Sequence, residues 1–417
     1  MENDVIVLYP GNWLYNAGVI GFLEVMAYGE DSKEVEKWFK DDGSVEIKKR
    51  VFDFRKVGNK FLPLCLYYYV ELLTKDEDIH EWIKRTDKNK VSYEQKYKDI
   101  AKEFGGEWGY KYVRAMNKLF FSNMPYQNLF QKADWLSDSL INFIRKIPEI
   151  IDIKKDVLCG LCNNFYHSEF PYLSEQTINR IMKFSEMHVH NLKIGPSIFQ
   201  FPNGFWNNSQ SFYICPLCTY LIIHHHLALL ELSDKSKIFV NAPSFKVMWH
   251  LNRYVKEVYG RKKTKVTREL LGMSIVELAL KFHIQLGKWT MMNIEVVNQY
   301  REGDNDKIEF FSLPYETILL LLDRNIASLI NDIGEINILN LVLDGKYREI
   351  LDFGERVLRL ALANSEKNKD STLSSFIDRN IFLRKNKDRS ENLISFSQKL
   401  FKLYALIEEK IGKGVHV

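Results

Sequence analysis

The residues with the clearest chemical spacing are four of the five cysteines. They form two C-x-x-C hooks, Cys159-Gly160-Leu161-Cys162 and Cys215-Pro216-Leu217-Cys218, with 52 residues between them, 163 to 214. Two thiolates on one tight turn can reach a single ion at about 2.3 Å, and two such turns complete a tetrahedral four-sulfur shell around Zn²⁺. Such a shell leaves no open position, so the expected zinc is structural and its binding energy is folding energy. An iron–sulfur cluster also takes four cysteines, and a C-x-x-C can be a redox pair. The fifth cysteine, Cys65 in Leu62-Pro63-Leu64-Cys65-Leu66, reads as a buried small hydrophobe.

Other chemistry is harder to find. The chain contains no G-x-S-x-G, H-E-x-x-H, G-x-x-x-x-G-K-[ST] or G-x-G-x-x-G, so no catalytic residue is assigned and a binding role with a structural metal is expected. His224, His225 and His226 follow the second hook. Consecutive helical residues point in different directions, so the three cannot all serve one ion.

Two kinds of residue suit nucleic acid. Between the hooks, Phe199 to Gln210 combines aromatics with amides; Asn203, Asn207, Asn208 and Gln210 can pair with a base edge, and Trp206 can wedge into an opened step. The alternative is a turn at Asn203-Gly204 with Trp206 packed beneath the metal. The second kind is cationic. Net charge is only +4, yet Lys256, Arg261, Lys262, Lys263, Lys265 and Arg268 stand against the single acid Glu257. Lys48, Lys49, Arg50, Arg55, Lys56 and Lys60 likewise face only Asp53, and Arg384, Lys385 and Lys387 lie in a third basic stretch. Separated basic clusters on a near-neutral chain are expected to meet polyanion phosphates in more than one place, or else to be solvated faces.

Elements must hold these groups. The chain has 417 residues, enough for two or three domains, and the expected class is α+β. Val5 to Tyr9 reads as a strand. Asn12 then caps a helix whose Ala17, Gly18 and Gly21 permit close approach of another backbone. Val45 to Ile47 and Val51 to Phe54 read as extended, and helices are expected over Phe61 to Leu73, Tyr93 to Phe104, Trp135 to Ile144, from Ser174 through Phe184, and from Tyr220 to Leu232. A helix over Leu270 to Leu286 precedes a hairpin of Met291 to Val297 with Ile308 to Leu313. Beyond Pro314 only helices are read: Pro314 through Ile330, Ile336 to Leu343, Tyr347 to Ala363 and Asn392 to Ile411. The expected domains are therefore residues 1–313, containing a zinc module at about 155–235, and a helical bundle at 314–417. The acidic start Met1-Glu2-Asn3-Asp4 and the lack of a long apolar run lead us to expect a cytoplasmic chain without membrane contact.

The opening Gly11-Asn12-Trp13-Leu14-Tyr15-Asn16-Ala17-Gly18-Val19-Ile20-Gly21-Phe22-Leu23 and the hooks Cys159/Cys162 and Cys215/Cys218 resemble the CXXC–CXXC large subunit of type I-B CRISPR surveillance complexes (Cascade). The resemblance implies a non-enzymatic part in antiviral defence. Such a subunit helps hold the 5′ end of the CRISPR RNA beside the backbone subunits and inspects double-stranded target DNA for a protospacer-adjacent motif. It also helps open the duplex and presents the site to a helicase-nuclease. In related systems the C-terminal bundle is also made separately as a small subunit; Met291 and Met292 are the candidate internal starts. The rival readings are a zinc-dependent nucleic-acid enzyme and a stand-alone zinc-ribbon protein.

Overall fold

The computed structural model describes residues 4–82, 94–122, 139–151, 157–162, 165–166, 185–188, 211–232, 235–259, 294–302, 305–312, 314–362 and 390–412. They make a mixed α+β chain, helices with small antiparallel sheets, as the sequence leads one to expect. Two compact units result: Met1–Leu229 with Pro243–Trp249, and Leu230–Ala242 with His250–Val417. The boundary expected between 313 and 314 lies inside the second unit. Helices Ser174–Phe184 and Leu270–Leu286 lie outside the described residues.

In the first unit β1 (Val5–Leu8) leads to α1 (Trp13–Glu30) and α2 (Ser32–Glu36), and β2 (Val45–Lys48) returns to pair antiparallel with β1. The Asn12 side chain accepts the Tyr15 N–H at 3.0 Å and so caps α1. Every residue from Trp13 to Leu23 is buried. A helix apolar all round has no solvent face, so α1 is the axis of this core.

A short 3-10 turn, Lys49–Phe52, precedes the hairpin of β3 (Phe54–Val57) and β4 (Lys60–Pro63), which runs into α3 (Leu64–Thr74). Two expectations are corrected here. Residues 51 to 52 are not extended, because a tight turn lets the adjacent Val51 and Phe52 both face inward. The helix expected from Phe61 begins only after Pro63, since Gly58-Asn59 closes a two-residue hairpin first. Next come α4 (Glu94–Phe104), α5 (Glu107–Ser122) and α6 (Ser139–Ile151). Phe104 stacks on Tyr112 at 4.2 Å between α4 and α5. Arg114 of α5 grips the Glu77 carboxylate with two hydrogen bonds of 2.7 and 2.9 Å.

Four short strands follow, β5 (Val157–Leu158) with β6 (Phe165–Tyr166) and β7 (Ser185–His188) with β8 (Ser211–Ile214), then α7 (Pro216–Ile222) and α8 (His225–Ala228). The single helix expected from Tyr220 to Leu232 is thus broken: the His224 N–H turns back to the Leu221 carbonyl at 3.0 Å, and β9 begins at Leu230.

The second unit is built on a sheet ordered β12-β11-β10-β9, with β9 (Leu230–Glu231), β10 (Lys237–Asn241), β11 (Glu295–Glu302) and β12 (Asn305–Ser312). The expected hairpin is present as β11 and β12. Helix α9 (Phe245–Tyr259) supplies Asn252, whose amide accepts the Val240 N–H at 2.8 Å and donates to the Val240 carbonyl at 2.7 Å. From Pro314 onward the described residues are helical: α10 (Tyr315–Leu322), α11 (Arg324–Ile333), α12 (Ile336–Leu343), α13 (Tyr347–Leu362) and α14 (Ser390–Gly412). One helix from Pro314 through Ile330 is expected from the sequence. Asp323 divides it by accepting the N–H groups of Asn325 and Ile326 at 3.0 and 3.3 Å, an N-cap in extended backbone. Among the described residues no helix is long and apolar enough to cross a membrane.

Candidate metal centre

The two hooks meet. The Sγ atoms of Cys159, Cys162, Cys215 and Cys218 all lie within 4.8 Å of one another, and all four residues are buried. Thiolates around one tetrahedral ion with 2.3 Å bonds stand about 3.8 Å apart, so this spacing fits a single ion. A polynuclear iron–sulfur cluster interposes several irons and sulfides between its thiolates and spreads them further. No pair forms a disulfide.

Local structure explains how the sulfurs are aimed. Cys215 is the N-cap of α7 and Pro216 occupies its first turn, where a missing N–H costs nothing. The Cys218 N–H donates to Cys215 Sγ and the Cys215 N–H donates to Cys159 Sγ, each at 3.4 Å. Backbone donors of this kind offset thiolate charge.

The charge balance supports a cation. Burial pushes the Cys215 and Cys218 thiols well above their ordinary range. Burial also opposes ionisation of Cys159, but hydrogen bonds from Cys162, Cys215 and Cys218 outweigh it and hold that thiol well below the usual range. Four thiolates in this dry site need a metal dication to balance them.

Both hooks rest on α1 and its entry turn. A Cβ on Gly11 would stand 2.6 Å from the Leu161 carbonyl oxygen in the first hook. Gly11 is fixed by Asn16, which accepts its N–H at 2.8 Å and donates to its carbonyl at 2.9 Å. On the same helix, a Cβ on Gly18 would lie 2.7 Å from the Leu221 carbonyl oxygen and one on Gly21 would lie 2.0 Å from that of His224. The small residues expected to permit close approach thus seat the segment launched by the second hook. Between these seats Tyr15 is fully buried. Burial, then the negative charge of Cys218, Cys162, Cys215 and Cys159, pushes its hydroxyl well above the usual range. Nothing in the sequence assigns Tyr15 and Asn16 to the centre beyond their place in the opening motif.

The histidines are absorbed by packing. Nδ1 of His224 and of His225 pair with the carbonyls of Tyr220 and Ile222, both at 2.9 Å. His226 meets the Tyr69 hydroxyl at 2.9 Å. Cys65 is buried and its thiol is pushed up to about 12, chiefly by that burial, as befits an inert core residue.

The cationic candidates divide. Lys48 pairs with Glu34 at 2.6 Å and Arg50 with Glu30 at 2.8 Å, so these two are engaged within the unit. Lys49 sits in the 3-10 turn, and its N–H donates to the Asp4 carbonyl at 2.9 Å. Arg55 and Lys56 are exposed on β3, Arg55 with its guanidinium 4.6 Å from the Tyr67 ring. Lys256 is half-buried in the last turn of α9. Asn203, Trp206, Asn207, Asn208, Gln210, Arg261, Lys262, Lys263, Lys265, Arg268, Met291, Met292, Arg384, Lys385 and Lys387 lie outside the described residues. No protein-family model, curated protein or solved structure matches the chain.

Proposed function

We propose that this chain is the non-catalytic large subunit of a type I-B CRISPR RNA-guided surveillance complex, and that its four cysteines hold a structural zinc ion. The observation that supports the reading is a convergence. The opening motif and the two hooks carried the resemblance as distant stretches of sequence. In the first unit Gly11 abuts Leu161, and Gly18 and Gly21 abut the segment after Cys218, so one packing arrangement accounts for both. A closed four-sulfur shell leaves no position for a reacting water, which favours the structural role over the zinc-enzyme alternative.

On this reading the chain holds the 5′ end of the CRISPR RNA, inspects the protospacer-adjacent motif of double-stranded DNA and supports recruitment of the helicase-nuclease. Coexpression with backbone subunits and a repeat-spacer RNA tests it. Stable co-purification of that RNA is expected; isolated protein that cleaves or deaminates nucleic acid unaided contradicts it. Charge reversal at Arg261, Lys262 and Lys263 should weaken duplex binding uniformly and flatten its salt dependence. An internal start at Met291 or Met292 would yield a small subunit that keeps β11 and β12 but lacks β10, the strand to which β11 pairs. Replacing both methionine codons should then abolish a short expression product.

A further inference from the structure

The hairpin of β3 and β4 has an inner and an outer face. Register pairs Arg55 with Leu62 and Val57 with Lys60, and pairs Phe54 with Pro63 and Lys56 with Phe61. Val57 and Leu62 of the first set are buried and Arg55 is exposed at its edge, so this set lies against the core. There Arg55 is placed over Tyr67 and Lys60 over Phe104, with Lys60 also ion-paired to Glu103. In the second set Pro63 is buried, but Lys56 and Phe61 form an outward-facing end. On it Phe61 is 56% exposed, Lys56 is exposed, and the exposed Arg145 of α6 lays its guanidinium 4.7 Å from the Phe54 ring. Among the described residues no carboxylate pairs with Lys56 or Arg145.

This outer face alternates aromatic rings with cations that meet no acid among the described residues. An exposed phenylalanine ring beside Lys56 and Arg145 offers an anion with flat apolar surfaces both a stacking face and cations. A polynucleotide has both. A duplex hides its base faces, whereas an unpaired strand presents each base for stacking and its phosphates for Lys or Arg. Phe54 and Phe61 occupy diagonal positions about 7–8 Å apart, within reach of neighbouring nucleotides in an extended strand. The strand opened on the reading above is DNA, which makes single-stranded DNA the occupant.

We infer that the outer face of the β3–β4 hairpin is a stacking platform for single-stranded DNA, with Phe61 bearing a base and Lys56 and Arg145 taking the flanking phosphates. The inference rests on the nucleic-acid reading above and specifies where and how an opened strand is held.

The test uses the full chain and fluorescein-labelled dT20 read by anisotropy. Phe61→Ala should weaken binding about 5- to 150-fold, the loss of one stacked base, and Phe61→Trp should restore it. Lys56→Glu should weaken binding and lower the salt slope. Phe61 is exposed, so its variants should keep the wild-type melting temperature. Unchanged dT20 affinity in Phe61→Ala overturns the platform, as does failure of the wild type to bind dT20. Equal losses of heparin and dT20 binding in both variants reduce the face to plain electrostatics and also overturn it. A tenfold or greater preference for rU20 overturns the DNA assignment. Co-purification of CRISPR RNA with Phe61→Ala separates the outcomes: if RNA and backbone subunits still assemble while dT20 binding is unaffected, the platform fails and the subunit reading stands.

Discussion

Gly21→Ala is the sharpest perturbation of the seat between α1 and the second hook. The added methyl would stand 2.0 Å from the His224 carbonyl oxygen, 2.8 Å from its carbon and 3.3 Å from its Cβ. A carbon–oxygen contact needs about 3.3 Å, so one backbone segment must move by roughly 1 Å. Both are buried, and neither obstacle is a flexible side-chain end. Overpacking of this kind costs about 1–3 kcal/mol, and the depth of the overlap argues for the upper end. Alanine recovers about 0.8–1 kcal/mol of helix propensity over glycine. The net destabilisation should be about 2 kcal/mol, a drop in Tm of about 4–8 °C for a unit of this size. Thermal unfolding followed by circular dichroism reads it, with Gly412→Ala as the control because nothing lies within 4 Å of that added methyl. If Gly21→Ala melts within a degree of wild type, the close approach is not a feature of the molecule.

Other consequences can be measured alongside it. Cys218→Ser should lose the metal and destabilise the first unit, because an alcohol does not ionise to replace a thiolate, whereas Cys65→Ser should keep the metal in full; elemental analysis of both proteins checks this. Burial holds the His224 imidazole down at about 4 from an ordinary 6.5, so the unfolded chain binds the proton first as pH falls. Stability from this group is complete above pH 6.5 and declines toward pH 4, with about 2 kcal/mol lost by pH 5. Denaturant titrations at pH 7 and pH 5 should show a smaller difference in His224→Gln than in wild type, provided zinc content is matched. Hydrogen bonding to Arg114, reinforced by Lys118, holds the Glu77 carboxyl at about 2 against burial. Its contribution is present above pH 4.5 and lost as pH falls toward 2. Arg114→Met should therefore cost about 1–3 kcal/mol at pH 7, and the gap to wild type should narrow below pH 4.5; a gap independent of pH would assign the loss to packing alone.

The four-cysteine cluster was legible because tetrahedral chemistry imposes a short, typed spacing that packing does not mimic. The Asn12 cap and the small residues of α1 were legible for the same reason, each being a local device with a local signal. What faces those glycines was not: Leu161, Leu221 and His224 are far away in sequence, and nothing local names them. The β3–β4 hairpin was missed although Gly58-Asn59 between two alternating runs is a turn signal; the apolar residues of α3 extended the helical period across Pro63. Asp323 shows the opposite error. An apolar period that continues on both sides conceals a break made by one side chain accepting two N–H groups. Among the cations, sequence density alone could not separate Lys48 and Arg50, which meet Glu34 and Glu30, from Lys56, which meets no acid among the described residues.

The account stands on one ion joining Cys159, Cys162, Cys215 and Cys218. Elemental analysis of the natively purified chain, with thiol counting before and after chelation, addresses that directly. One zinc per chain is predicted, with the four ligand thiols unreactive until the metal is removed and reactive afterwards. Folded protein that contains iron in its place, or no metal and four freely reactive thiols, would contradict it.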